Sequence, residues 1–287
     1  MDRAVEISAF LRSRRGRLSP VDVGLPFDGR IRRVPGLRRE EVARLAGMSV
    51  DYYMRIEQGR GGTVSAEIIE AIAGALRLDA VERDHLLNLT AAGATAPQES
   101  VPAPQRVRAG LYDLLSVMDR APAIVMGRRT DILASSELAR LLFVDFEELP
   151  AAHRNYARFV LLNPLARELF VDWELLAAQA TAMLRLDAGR HPEDRQLSDF
   201  VAELMQDCPE FPKFWADQQV HQKDQGEIRL RHPVMGETTL QYQTLLVPGE
   251  DNQSLCAYYA APGSPGERAI AGLAASAGEH CRKVPRG

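Results

Sequence analysis

Three cysteines and six histidines are the side chains best suited to nucleophilic, redox or metal chemistry, and their spacing supports none of it. His85, His153, His191, His221, His232 and His280 include no HxxxH or HExxH pair that would set two imidazoles on one helical face as metal ligands. Cys208 in DCPEF and Cys256 in SLCAY lack a neighbouring base and read as small buried hydrophobes. Together with Cys281 they are odd in number and form no CxxC, so neither a disulfide framework nor a structural metal is expected. No GxSxG, GxxxxGK[ST] or strand-following GxGxxG is present, and Asp145, Glu147 and Glu148 read as a solvated turn. No enzyme activity is expected.

The chemistry that remains is charge. The net charge of −4 over 287 residues argues at first against a nucleic-acid partner. It is unevenly placed. Residues 1–60 hold 13 arginines against 8 acids, or +5, and the rest of the chain carries −9. A basic end on an acidic body calls for an anionic partner at that end. Only Lys213, Lys223 and Lys283 among 35 basic residues are lysines. Arginine suits bidentate phosphate contact, although such a bias can equally reflect coding preference.

The basic end contains RREEVARLAGMSVDYYMRIEQGR, residues 38–60. Val42 and Ala46 share a helical face, and small Ala43 admits a second helix close by. Gly47 suits a turn, Ser49 an N-cap, and Tyr53 and Ile56 the buried face of the next helix, with Met48 packed in the turn. This is the schedule of a helix-turn-helix whose second helix enters the major groove. An ordinary helical hairpin is the alternative; the basic surroundings favour DNA.

Other elements must hold that motif. Residues 5–15 read as an amphipathic helix, 65–77 place Ile68, Ile69, Ile72, Ala73 and Leu76 on one face, and Asp79 can cap a helix reaching Leu89. The Ala/Pro-rich stretch 92–106 reads as a linker. Beyond it, helices are expected at 107–119, 136–143, 153–161, 165–170, 172–189 and 194–207. Short strands are expected at Ala123–Met126 and Ile132–Ala134, joined by GRRTD, and three antiparallel strands at 227–232, 237–247 and 254–260. The division is thus an all-α bundle (1–91), the linker (92–106), an α+β domain (107–265) and a C-terminal tail (266–287). With 46% hydrophobic residues the chain can bury two cores, and no apolar run approaches the roughly 18 residues of a membrane span. The start MDRAVEISAFLRSRRGR lacks the apolar core of a signal peptide, so a cytoplasmic location is expected.

Residues 1–90, with IEQGR at 56–60, resemble the Cro/C1-type (XRE) helix-turn-helix domain, a five-helix, lambda-repressor-like bundle. PGLRREEVARLAGMSVDYYMRIEQGR, GRRTDILASSELARLLF, NYARFVLLNPLARELFVDWE and RLRHPVMGETTLQY together resemble actinobacterial MmyB-like transcriptional regulators. That resemblance spans residues 1 to about 265 and implies a PAS-like ligand-binding domain after the helix-turn-helix.

In the reading helix Val50, Asp51, Tyr52 and Arg55 are the candidates for base edges: Arg55 for guanine, Val50 for a thymine methyl, Asp51 for cytosine N4. Asp51 could equally favour only the helix dipole. Arg38, Arg39 and Arg60 are candidates for phosphate, and Ser49 for capping, phosphate or both. The Cro/C1 resemblance implies an Arg15–Glu57 pair tying the first helix to the reading helix. The segment Gly29 to Arg33 is longer than that fold carries between its first two helices and could follow the backbone or enter a minor groove. Dimerisation is expected, since one reading helix spans too few base pairs for specificity.

In the second domain Ile124, Val125, Leu133, Phe159, Trp215, Leu240, Tyr242 and Tyr258 could line an apolar pocket, with Asn155, Arg158 or His232 fixing a polar head. Each could equally just fill the core. The resemblance implies a sensor of fatty-acid-like or other small apolar ligands. Two positions depart from relatives: Ser136 stands where asparagine is frequent, and Gln218 where histidine often follows the tryptophan. The expected function is a DNA-binding transcriptional regulator that senses such a ligand. A constitutive regulator whose second domain only dimerises or binds a protein partner is the alternative.

Overall fold

The computed structural model describes residues 2–26, 36–91, 105–250 and 252–283. The segment Gly29 to Arg33 and nearly all of the expected linker lie outside them. The chain forms two compact units. One comprises the described residues up to 91 together with 185–200 and 213–221; the other holds 105–184, 201–212 and the described residues from 222 onward.

The first unit contains five consecutive helices, α1 (Arg3–Arg17), α2 (Arg39–Leu45), α3 (Val50–Glu57), α4 (Ala66–Ala75) and α5 (Ala80–Thr90). Helix α1 begins before the apolar pattern does because the Asp2 carboxylate caps it, accepting from the Ala4 amide at 2.9 Å. At α5 Asp79 accepts from the Glu82 amide at 2.8 Å while Glu82 accepts from the Asp79 amide at 3.3 Å, a reciprocal capping box. The helices bury one core built from Phe10, Leu11, Val42, Tyr53, Ile56 and Ile72 among others. Each such side chain contributes roughly 1.5–3 kcal/mol on leaving water. Ile68 is only partly buried; the other members of the expected α4 face lie inside.

The remaining elements are α6 (Ala109–Ser116), β1 (Ala123–Met126), β2 (Ile132–Ser135), α7 (Glu137–Leu142), α8 (Tyr156–Leu162), α9 (Pro164–Leu169), α10 (Trp173–Arg190), α11 (Arg195–Asp207), α12 (Phe211–Ala216), β3 (Gln225–His232), β4 (Gly236–Leu246), β5 (Ser254–Tyr259) and α13 (Pro265–Lys283). The five strands form one antiparallel sheet in the order β2-β1-β5-β4-β3. The sequence pattern separates a β1–β2 pair from a three-stranded group. The register Ala123↔Ala257 to Met126↔Ser254 between β1 and β5 fuses them. Both faces of β1 are covered, which is why all four of its residues are buried and no alternation marks it.

Paired residues point to the same side. One face carries Ile124, Cys256, Tyr258, Tyr242, Leu240 and Ile228. The other packs Ala123, Val125, Ala134 and Leu255 beneath Leu115 and Leu111 of α6. The segment read as a C-terminal tail forms α13 as far as residue 283. Ile270 and Leu273, spaced for one helical face, bury there. Among the described residues no helix is long and apolar enough to cross a membrane.

Candidate nucleic-acid interface and ligand site

The turn between α2 and α3 is set by Gly47, whose φ of +66° is the left-handed conformation that glycine adopts without strain. Ser49 then caps α3, its hydroxyl accepting from the Tyr52 amide at 3.2 Å. With Val42, Ala43, Tyr53 and Ile56 buried and Met48 packed against the same core, the opposite side of α3 faces outward. Val50 is 45% exposed there. Asp51 and Arg55 are exposed and Tyr52 half-buried; the Arg55 guanidinium lies over the Tyr52 ring, 5.6 Å from its centre. The stacking holds a long cation along the helix instead of leaving it free in solvent.

The orientation of α3 is fixed by a buried carboxylate. Glu57 is fully buried and receives Arg15 at 3.2 and 3.4 Å, the pairing implied by the Cro/C1 resemblance, and also Arg39 at 2.8 Å. Arg15 further donates to the Leu37 carbonyl at 2.6 Å. One acid thus joins α1, α2 and α3. Arg39, read from sequence as a phosphate contact, is committed to Glu57 yet its side chain stays 42% exposed. Arg38 starts α2, its amide donating to Glu41 at 2.6 Å and its guanidinium lying 3.5 Å from Glu40. Arg60 is exposed just past α3.

Three charged or titratable groups inside the first unit were not singled out in the sequence. Arg185 is buried, ion-paired to Glu6 at 2.5 Å, bonded to the Trp215 carbonyl and placed 4.1 Å over the Trp215 ring. Burial lowers its pKa, partly offset by Glu6. Arg14 pairs with Glu82 at 2.7 Å and donates to the Gln218 carbonyl at 2.7 Å; burial lowers its pKa to about 10. His85 packs edge-on against Phe10 at 5.0 Å and sits directly over Gly189, where an added Cβ would lie 2.5 Å from the ring. Trp215 and Gln218 therefore fall in this helical unit, whereas the other ligand candidates fall in the second.

In the second unit, Phe159, Tyr242 and Tyr258 come together on one side of the sheet, where Leu240 and Ile124 also point. Rings of Phe143, Phe146, Phe159, Phe170 and Tyr258 meet at centroid distances of 5.0–6.4 Å. Val125 lies on the opposite face, and Leu133 packs against the cluster there. The expected polar-head residues are occupied internally. Asn155 caps α8, accepting from the Arg158 amide and the Thr130 hydroxyl and donating to the Arg129 carbonyl and to Asp131. Arg158 forms a two-pronged pair with Glu203, both bonds at 2.5 Å, which holds the Glu203 carboxyl below its usual range. His232 accepts from the Val234 and Met235 amides at Nδ1, leaving Nε2 to donate to the Leu141 carbonyl at 3.0 Å. Ser136 caps α7 and accepts from the Ala123 amide at 2.9 Å.

A model of helix-turn-helix domains matches residues 6–86, which contain most of α1, all of α2 to α4 and most of α5. The family described as the MmyB-like transcription regulator ligand binding domain matches residues 107–273, more than half of the chain. The chain belongs to the MmyB-like transcription regulator family. No curated protein matches it. This MmyB-like regulator thus joins a DNA-binding helix-turn-helix to a ligand-binding domain, the build of a transcription regulator.

Proposed function

We propose that the regulator reads operator DNA as a homodimer, with Val50, Asp51, Tyr52 and Arg55 at base edges and Arg38, Arg39, Ser49 and Arg60 at phosphates. The observation that carries this reading is α3 itself. Its inner face is fixed by Tyr53, Ile56 and Glu57, while its outer face presents an exposed Val50 and an Arg55 steadied by Tyr52. The division we propose is 1–91 for DNA, 92–106 as linker, 107–265 as sensor and 266–287 as C-terminal tail, with 185–200 and 213–221 of the sensor stretch clustering with the helical unit.

We further infer that the sensor takes a small apolar, fatty-acid-like ligand on the aromatic side of its sheet, with Phe159, Tyr242 and Tyr258 as lining. Ligand binding would change operator affinity by favouring one of two conformations.

Operators selected from a random duplex library should contain two half-sites about 34 Å apart, or multiples of that. On such an operator Arg55→Ala is expected to weaken binding about 10- to 100-fold and relax the preference at one base pair. Arg60→Ala should weaken all sequences alike and lower the salt slope by about one. Unchanged affinity and selection in Arg55→Ala would overturn the assignment. Native mass spectrometry of the purified protein is the matching check on the sensor, with a co-purifying apolar molecule as the expected result.

A further inference from the structure

The turn between β1 and β2, residues 127–131, holds two neighbouring non-glycine residues in the left-handed region, Arg129 at φ +56° and Thr130 at φ +63°. A β-branched side chain is a genuine outlier there, and such a pair persists only where its surroundings hold it. The hold comes from Asn155, buried at the N-terminus of α8. Its side-chain nitrogen donates to the Arg129 carbonyl at 2.7 Å and to Asp131 Oδ1 at 3.0 Å, and its side-chain oxygen accepts from the Thr130 hydroxyl at 3.1 Å. That hydroxyl accepts in turn from the Ala157 amide at 3.2 Å, so the start of α8 grips both strained residues.

The other side of the same turn holds the end of the linker stretch. Gln105 accepts at Oε1 from the Arg128 amide at 2.7 Å and donates from Nε2 to Asp131 Oδ2 at 3.3 Å. The Arg106 carbonyl accepts from the Gln253 side chain at 3.0 Å, and Val107 packs against the cluster beneath α6. Gly127 leaves room for this seat, because a Cβ there would run into Gln105 Oε1. Asp131 thus takes Asn155 on one carboxylate oxygen and Gln105 on the other. Phe159, which faces the aromatic side of the sheet, stands four residues after Asn155 on the same helix.

We propose that residues 127–131 form a two-state relay from α8 to the linker. In one state Asn155 holds the left-handed pair and Gln105 is seated on the turn. In the other, a ligand has shifted α8 and withdrawn Asn155. Arg129 and Thr130 then relax to ordinary backbone angles, and the Arg128 amide and Asp131 carboxylate turn away from Gln105. The stored strain makes the turn bistable, which is what a coupling element requires beyond mere continuity of contacts. Release of Gln105 changes the point at which the chain toward the helix-turn-helix leaves the sheet. The relay rests on the reading of the second unit as a small-molecule sensor.

Hydrogen exchange at the Arg128 amide, followed by NMR, reads the Gln105 seat with no ligand present. Thr130→Val keeps the shape of the side chain and removes its bonds to Asn155 and Ala157. The Arg128 amide is expected to exchange at least about 10-fold faster, while the Tyr258 amide, bonded to the Pro122 carbonyl, stays within about threefold. An equal change at both amides, or none at Arg128, overturns the relay. The second measurement, which decides alone should Thr130→Val not fold, uses dodecanoate as the probe on delipidated full-length protein. In the wild type it is expected to shift operator affinity by about 5- to 150-fold. Gln105→Ala and Gly127→Ala, which vacate the seat by different means, should bring that shift within about twofold of none. Dodecanoate itself should bind both variants within about threefold of the wild type. A shift that persists in both variants overturns the relay and leaves the sensor standing; no shift in the wild type overturns the two together.

Discussion

Replacing Glu57 by alanine is expected to lower the stability of the helical unit by about 3 kcal/mol, read as a shift in the urea midpoint at constant slope. The carboxylate is fully buried and joins Arg15 on α1 and Arg39 on α2 to the end of α3. Removing it leaves Arg15, itself only 12% exposed, without its counter-charge, while the half-exposed Arg39 can return to water. The loss therefore arises chiefly from Arg15. A double variant, Arg15→Met with Glu57→Leu, should recover most of it, because apolar residues of similar volume replace a buried pair at little cost. Operator binding separates stability from orientation. If the double variant is stable but binds DNA less well, Glu57 serves to aim α3; a loss below about 0.5 kcal/mol in Glu57→Ala would show the pair to be inert.

The second large effect is acid sensitivity carried by His85. Burial, followed by the nearby Arg185, Arg14 and Arg190, lowers its folded pKa from 6.5 to about 3. Below pH 6.5 the unfolded chain takes up a proton that the folded chain refuses. Stability therefore falls as pH drops through the window from 6.5 toward 3. Between pH 8 and pH 5 this single group should remove about 2 kcal/mol. Comparing the wild type with His85→Leu isolates it, since the other titrating groups are common to both proteins. Parallel stability curves for the two proteins over that range would show that His85 does not carry the effect.

What could be read from sequence follows from how local each signal was. The turn at Gly47, the Ser49 cap and the Tyr53–Ile56 face lie within ten residues of one another, so their spacing alone defined the motif. The Asp79 cap was equally local. The fusion of two strand groups into one sheet was not legible, because it depends on pairing Ala123 with Ala257, far apart in the chain. The short α12 lacked enough turns to show a period, whereas Ile270 and Leu273 did carry a readable pattern for α13. At the candidate sites, residue type suggested polar contacts that packing had already used: Asn155 as a cap, Arg158 beside Glu203. Buried Lys223 gave no signal of its own, since the rings its ammonium faces at 4.2–5.2 Å, Tyr156, Tyr242 and Tyr258, come from three separate elements.

The membership of residues 185–200 and 213–221 in the helical unit bears on how the chain is made. Glu6, Arg14 and His85 find Arg185, Gln218 and Gly189 only after that later sequence has left the ribosome. At roughly 5–20 residues per second, the nascent reading head waits on the order of ten seconds for those partners. During that interval its helices can form while Glu6 and His85 still face water. Completion of the DNA-binding half is thereby tied to synthesis of most of the sensor, and a ribosome that stalls near residue 91 releases a head that lacks its buried Arg185.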